Sequence, residues 1–214
     1  MKAISTVLFF LSHHPGWSFP ILAGIFIFIG LLRKKVFYAI LAFLVPMANI
    51  FCAHMLNAWF LNAYGVRSTA VVTHAEQTNS TLNDEYIWDY DAVVKTQDGK
   101  DVITGFSTMS AAIYPVRNQI LIPPMGEPFA VKFIPGYEKN FVILSDESMY
   151  GVMRKIYERK EQVEKARRTF EASPSNEEFR QAYRKAMQTF VDDPANAPDS
   201  SGIQYYKAML SGMQ

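Results

Sequence analysis

The stretch DEYIWDYDAVVKTQDGK, residues 84–100, sets Asp89 and Asp91 among Tyr86, Trp88 and Tyr90. On an extended chain, residues two apart point the same way, so the two carboxylates share one face and could hold a cation or, beside stacked rings, a sugar. A hard cation requires about six to eight oxygen ligands, and the local sequence offers no others. Tyr86, Trp88, Tyr90, Ala92 and Val94 alternate with Ile87, Asp89, Asp91, Val93 and Lys95, the period-two pattern of a half-buried strand. The expected arrangement is therefore a core strand with its rings inside, Trp88 included, and its acids in water.

Three further groups of residues invite chemistry. His13 and His14 precede Pro15 and Gly16, and adjacent histidines without further ligands at useful spacing do not make a metal site; His74 is remote in sequence. Asn49, His54 and Asn57 interrupt an apolar run, where an unpaired donor is costly, so each is expected to face another helix, another subunit or the water interface. One histidine and two amides without a carboxylate make a poor ion relay. No Ser-His-Asp or Cys-His arrangement, glycine-rich phosphate loop or pair of catalytic carboxylates can be assembled, so no catalytic residue, cofactor or metal is expected.

The elements that position these residues begin with an almost continuous apolar run from Ile4 to Tyr64. The run VFYAILAFLVPMANIFCAHMLNAWFLNAY, Val36 to Tyr64, is long enough to cross about 30 Å of hydrocarbon. SFPILAGIFIFIGLL, Ser18 to Leu32, is short for a span, but Trp17 and Arg33 can anchor it at the two interfaces. A two-span anchor is expected over 1–64, with spans at about 18–32 and 36–63 and an apolar segment, residues 1–14, near the membrane surface. No small-x-small cleavage site follows MKAISTVLFFL, so a cleaved signal peptide fits poorly. The cations Arg33, Lys34 and Lys35 fill the short loop between the spans, which places that loop in the cytoplasm and everything after Tyr64 outside it. Cys52, the one cysteine, lies within the second span and has no partner for a disulfide within the chain.

The remainder reads as soluble. With 21 Lys and Arg against 20 Asp and Glu, no global charge draws nucleic acid as a partner. VRSTAVVTHAEQT, the aromatic stretch, DVITGFST, PFAVKFI and NFVILSD read as five short strands, the second and third joined by a turn at Asp98 and Gly99; a small antiparallel barrel or sandwich over 65–145 is expected.

The order of these features is similar to that of an uncharacterised bacterial family of membrane-anchored small β domains. The similarity is carried over about residues 65–145 by GVRSTAVVTHAE opening a strand, an aromatic strand running into DGK, and PPMGEPFAVKFIPGYEKNFVIL. Phe133 stands where that pattern tends to have Tyr, and GYEKN replaces its more usual Asn-Pro. The resemblance implies the anchor and the β domain and transfers no active site.

Residues 146–214 read as helices. Met149, Ile156, Val163 and Phe170 recur at seven-residue spacing, interrupted near Arg159. SNEE at 175–178 reads as a capping box opening a second helix with Phe179, Tyr183, Ala186 and Phe190 on one stripe, and Ile203, Tyr206 and Leu210 mark a short final segment. The fold class expected is membrane-anchored α+β: a transmembrane helical hairpin, a small β barrel or sandwich and a C-terminal helical hairpin. Met149, Ile156, Val163, Phe170, Phe179 and Tyr183 are the expected interaction residues, and coiled-coil spacing favours a homo-oligomer. The function expected is non-enzymatic: an inner-membrane protein offering a periplasmic domain to another envelope protein, or else an immunity protein against a periplasm-acting toxin, or an accessory subunit of a transporter or membrane enzyme.

Overall fold

The computed structural model describes residues 1–96, 98–117 and 119–213, so Gln97 of the quoted stretch lies outside the described residues. The chain divides into two compact units, Met1–Ser148 and Met149–Gln214.

In the first unit the apolar run forms three helices, α1 (Lys2–His13), α2 (Pro15–Arg33) and α3 (Phe37–Tyr64). Proline is tolerated at the first turn of a helix, where its missing N–H has no intrahelical partner to lose, and Pro15 opens α2 in that way. Both α2 and α3 are long and apolar enough to cross a membrane by length and composition. They form a hairpin closed at Lys34, which takes a left-handed backbone. Asn49 of α3 donates from Nδ2 to Ser18 Oγ of α2 at 2.9 Å and to the Leu11 carbonyl of α1 at 3.2 Å. Ser18 and Asn49 thus fix the register: α2 lies beside the first half of α3, and α1 beside the second.

Six strands follow: β1 (Val66–Leu82), β2 (Glu85–Val94), β3 (Val102–Ser107), β4 (Ile113–Tyr114), β5 (Pro128–Ile134) and β6 (Tyr137–Leu144). At Gly65, between α3 and β1, a Cβ would meet the Leu61 carbonyl oxygen at 2.5 Å and Lys132 Cβ at 3.0 Å. Only glycine lets the chain turn that closely from helix to sheet. The strand order is β3-β2-β1-β5-β6-β4, antiparallel except that β4 runs parallel to β6. β1 and β2 form a long arm closed by Asn83 and Asp84, both at positive φ as a two-residue hairpin turn requires.

The expected closed barrel or sandwich is corrected: the sheet is mixed and open. It curls far enough for the Thr104 hydroxyl of β3 to donate to the Lys139 carbonyl of β6 at 2.9 Å and for Phe106 and Phe141 to meet edge to face. No backbone ladder joins β3 to β6, and β6 spends its free edge on β4 instead. The inner face of the curl is a core of Ala70, Val72, Ala92, Val94, Phe106, Phe129, Val131, Phe133, Phe141 and Ile143. Tyr90 packs against that core, whereas Trp88 is only half-buried and Tyr86 is exposed, so the aromatic row is a core strand only in its second half.

The outer face of β5 and β6 packs on α3. Ala58 and Leu61 are fully buried there among Ala112, Ala130, Ile134, Val142 and Leu144. Asn57 is expected to bond toward another helix, a subunit or water, and bonds instead to the sheet. Its Nδ2 donates to Asn140 Oδ1 at 2.7 Å, Asn140 Nδ2 donates back to Asn57 Oδ1 at 2.9 Å, and Asn140 Nδ2 also reaches Ser5 Oγ and the Ser5 carbonyl of α1. All three residues are buried, and together they join α1, α3 and β6.

The second unit holds α4 (Met149–Ala172), α5 (Glu177–Asp192), a short 3-10 turn (Pro194–Asn196) and α6 (Ser200–Gly212). The expected hairpin gains a third helix. The cap of α5 is Asn176, whose side chain accepts from the Glu178 and Phe179 N–H groups, one residue later than the expected Ser175 box. The 3-10 turn is pinned to α4 by Arg159, which donates from Nε to Asn196 Oδ1 at 2.6 Å, and α6 by Lys160, 2.7 Å from Asp199 Oδ2.

Candidate functional site

The structure brings together residues that the sequence keeps far apart. After a bulge at Thr73, β1 carries His74 opposite Asp91 and Glu76 opposite Asp89; β3 then adds Gly105 beside Asp91 and Ser107 beside Asp89. Cross-strand partners share a face. His74, Glu76, Asp89, Asp91 and Ser107 therefore form two rows on the outer face of the sheet. The end of α1 brings His13 and His14 to the same place, and the result is an open cleft of about 440 Å³ that also reaches Tyr90, Phe106 and Ser110. The bulge is what turns His74 and Glu76 outward, and a period-two reading of β1 has no means of seeing it.

The cleft is acidic, with Glu76, Asp89 and Asp91 on its floor. At Gly105 a Cβ would meet Asp91 Oδ1 at 3.5 Å, ordinary van der Waals contact, so the Asp91 carboxylate lies directly over the glycine. The C-terminal end of a helix carries partial negative charge, and α1 ends at His13, adding to the same sign. Such a field favours cationic groups. His74 Nε2 lies 3.9 Å from Glu76 Oε2, beyond hydrogen-bond reach, so the pair does not form a base with an oriented proton. Among the described residues, no group of three or more His, Cys, Asp or Glu side chains is placed to hold a metal ion.

His13 is the wall of the cleft and part of the fold. Its ring stacks on Phe9 at 3.9 Å, and Nδ1 lies 3.1 Å from the Phe9 carbonyl and 3.0 Å from Ser12 Oγ. Burial holds its pKa down at about 4 against the carbonyl bond, which raises it, and His14 lowers it further. A histidine whose folded pKa is depressed favours folding while neutral. The stability His13 contributes is therefore complete above about pH 6.5 and is lost as the pH falls toward 4. At about 1.4 kcal/mol per pKa unit the loss is at most about 3 kcal/mol. Unfolding of the full chain in detergent micelles between pH 7 and 4 is expected to show this loss, and His13→Phe to flatten it. An unchanged slope in His13→Phe would place the acid sensitivity elsewhere.

The expected interaction residues lie in the second unit. Ile156 and Val163 are buried with Tyr183, Met187, Phe190 and Tyr206, in a core that α4, α5 and α6 share. Phe170 is half-buried and stacks on Tyr183, Phe179 is half-buried, and Met149 is exposed. The seven-residue stripe is thus covered within its own unit from Ile156 onward. Met187 and Tyr206 complete that cover, and sequence reasoning passes over the first of them because Ala186 sits on the same stripe.

No family model matches the chain, and neither a curated protein nor a solved structure matches it.

Proposed function

We propose that the chain is a bacterial inner-membrane protein that crosses the bilayer twice and holds its sheet and helical unit in the periplasm for recognition of another envelope protein, without catalysis of its own. One observation carries the reading: α3 does not stop where its apolar hairpin with α2 stops but runs on into the sheet, where Asn57, Ala58 and Leu61 are interior residues. A span that ends as a core element of the sheet holds the acidic cleft at a fixed height above the bilayer. The side chains that α2 and α3 leave uncovered, among them Ile27, Phe28, Phe43, Leu44 and Phe51, support the spans, since so many contiguous apolar groups are not left to water. The cleft, rich in carboxylates, favours a partner that presents Lys or Arg.

Orientation is the first test. A reporter enzyme that folds only in the periplasm, fused at the C-terminus, should be active, because the cations cluster in the loop between the spans. Activity from a cytoplasm-only reporter at the same position would reverse the topology. Affinity purification from solubilised membranes then identifies the partner.

A further inference from the structure

The sheet leaves few large apolar side chains exposed, and several of them gather beside one stretch of α3. Leu82 comes from the last position of β1, Met109 from the loop after β3, and Ile120 from the loop after β4. They are 46, 41 and 54 % exposed. With Ile50, Phe51, His54 and Met55 of α3 they line a crevice of about 150 Å³, much more apolar than the cleft above. Three segments distant in sequence have no folding reason to bring exposed apolar tips to one place, and none of the three side chains belongs to a buried core cluster.

The helices say at what height this occurs. α2 has 19 residues, about 28 Å at 1.5 Å per residue, nearly the thickness of the hydrocarbon. Its first turn is level with Asn49, through the Ser18 bond. The hydrocarbon boundary on α3 therefore falls close to Ile50 and Phe51, the residues that open the crevice. Phe51 is exposed and continues the uncovered surface of Phe43 and Leu44 into it.

We propose that this rim enters the outer part of the bilayer, with Leu82, Met109 and Ile120 among phospholipid acyl chains and one chain lodged in the crevice against α3. The inference rests on the two-span reading above. It makes the sheet a membrane-seated element rather than one raised on a stalk, and it fixes which face of the sheet is left for a protein partner.

The test uses the full chain with Cys52→Ser, reconstituted in nanodiscs of phosphatidylcholine and phosphatidylglycerol, with single nitroxide labels at Met109→Cys, Ile120→Cys, Ile103→Cys and Leu44→Cys. Ile103, 70 % exposed, is the most exposed large apolar side chain of the sheet and does not line the crevice. Collision with dissolved oxygen, which concentrates in lipid, is compared with collision with a water-soluble nickel chelate. Labels at 109 and 120 are expected to favour oxygen by several-fold, as the label at 44 does, while the label at 103 favours nickel. Nickel-accessible labels at 109 and 120 with a lipid-exposed label at 44 would overturn the seated rim and leave the anchor standing. Labels at 109 and 120 shielded from both reagents would mean that protein, such as a second copy, covers the rim, and would also overturn it. A nickel-accessible label at 44 would bring down the anchor and this inference together.

Discussion

Phe141→Ala should destabilise the protein by about 3–5 kcal/mol, the range for removing a fully packed ring from a core. Phe141 is 7 % exposed, meets Phe106 edge to face at 5.6 Å and Phe129 at 6.4 Å, and so joins β3 to β5 and β6 across the inside of the curl. No ladder joins β3 to β6, and the ring contact and the Thr104 bond to the Lys139 carbonyl link the two ends beside the Ile143 N–H bond to the Ala112 carbonyl, which ties the segment after β3 to β6. Trp88→Ala removes a larger but half-buried side chain and should cost clearly less, since its contribution scales with the area taken from water. Chemical denaturation of the full chain in detergent, followed by circular dichroism, ranks the two. A Trp88 variant as unstable as the Phe141 variant would mean that the core extends to the first half of β2.

The contrast between Trp88 and Phe141 shows where sequence reasoning reaches its limit. Alternation finds β2 and assigns its two faces correctly, with Asp89 and Asp91 outside, because the pleat makes the side-chain period two whatever the strand packs on. It does not say where along the strand the partner layer ends. β1 and β2 run past the core into an exposed arm, and Tyr86 leaves the interior with it although it continues the row of Tyr90. The turn that makes the arm goes unread by alternation, although Asn83 and Asp84 are residue types that accept positive φ, and both do. The cleft was not legible, since it depends on the bulge at Thr73 and on α1 folding back to bring His13 and His14 beside His74, contacts between residues about 60 positions apart. The helical stripe is legible in a different way. Seven-residue spacing says that a face is covered and is silent about by what; α5 and α6 answer from within the unit.

Asn140→Ala should cost roughly 3 kcal/mol or more, although it deletes only a small side chain. The residue is 1 % exposed and its amide serves Asn57 twice and Ser5 twice, so its removal leaves the Asn57 amide and the Ser5 hydroxyl inside the protein with no partner. Each buried polar group orphaned in this way costs about 1–3 kcal/mol, whereas the bonds themselves contribute less, because the unfolded amide bonds to water. Replacing both amides by apolar side chains of similar size separates the two effects. Asn57→Leu and Asn140→Leu should each be destabilising alone, and the double variant should be more stable than the sum of the two by about 1–2 kcal/mol, within the range for residues in direct contact. Strict additivity in that cycle would show that the amides act independently and do not join the sheet to the helices. The consequence for function follows from where the pair sits. Asn57 lies on the part of α3 that continues past α2, and Asn140 on β6 beneath it, so single variants should also loosen the sheet from α3 before the sheet itself unfolds. Protease sensitivity between Tyr64 and Val66, rising in Asn140→Ala while the inner core of Phe129, Val131 and Phe141 stays protected, is the expected sign that the amide pair holds the sheet on α3.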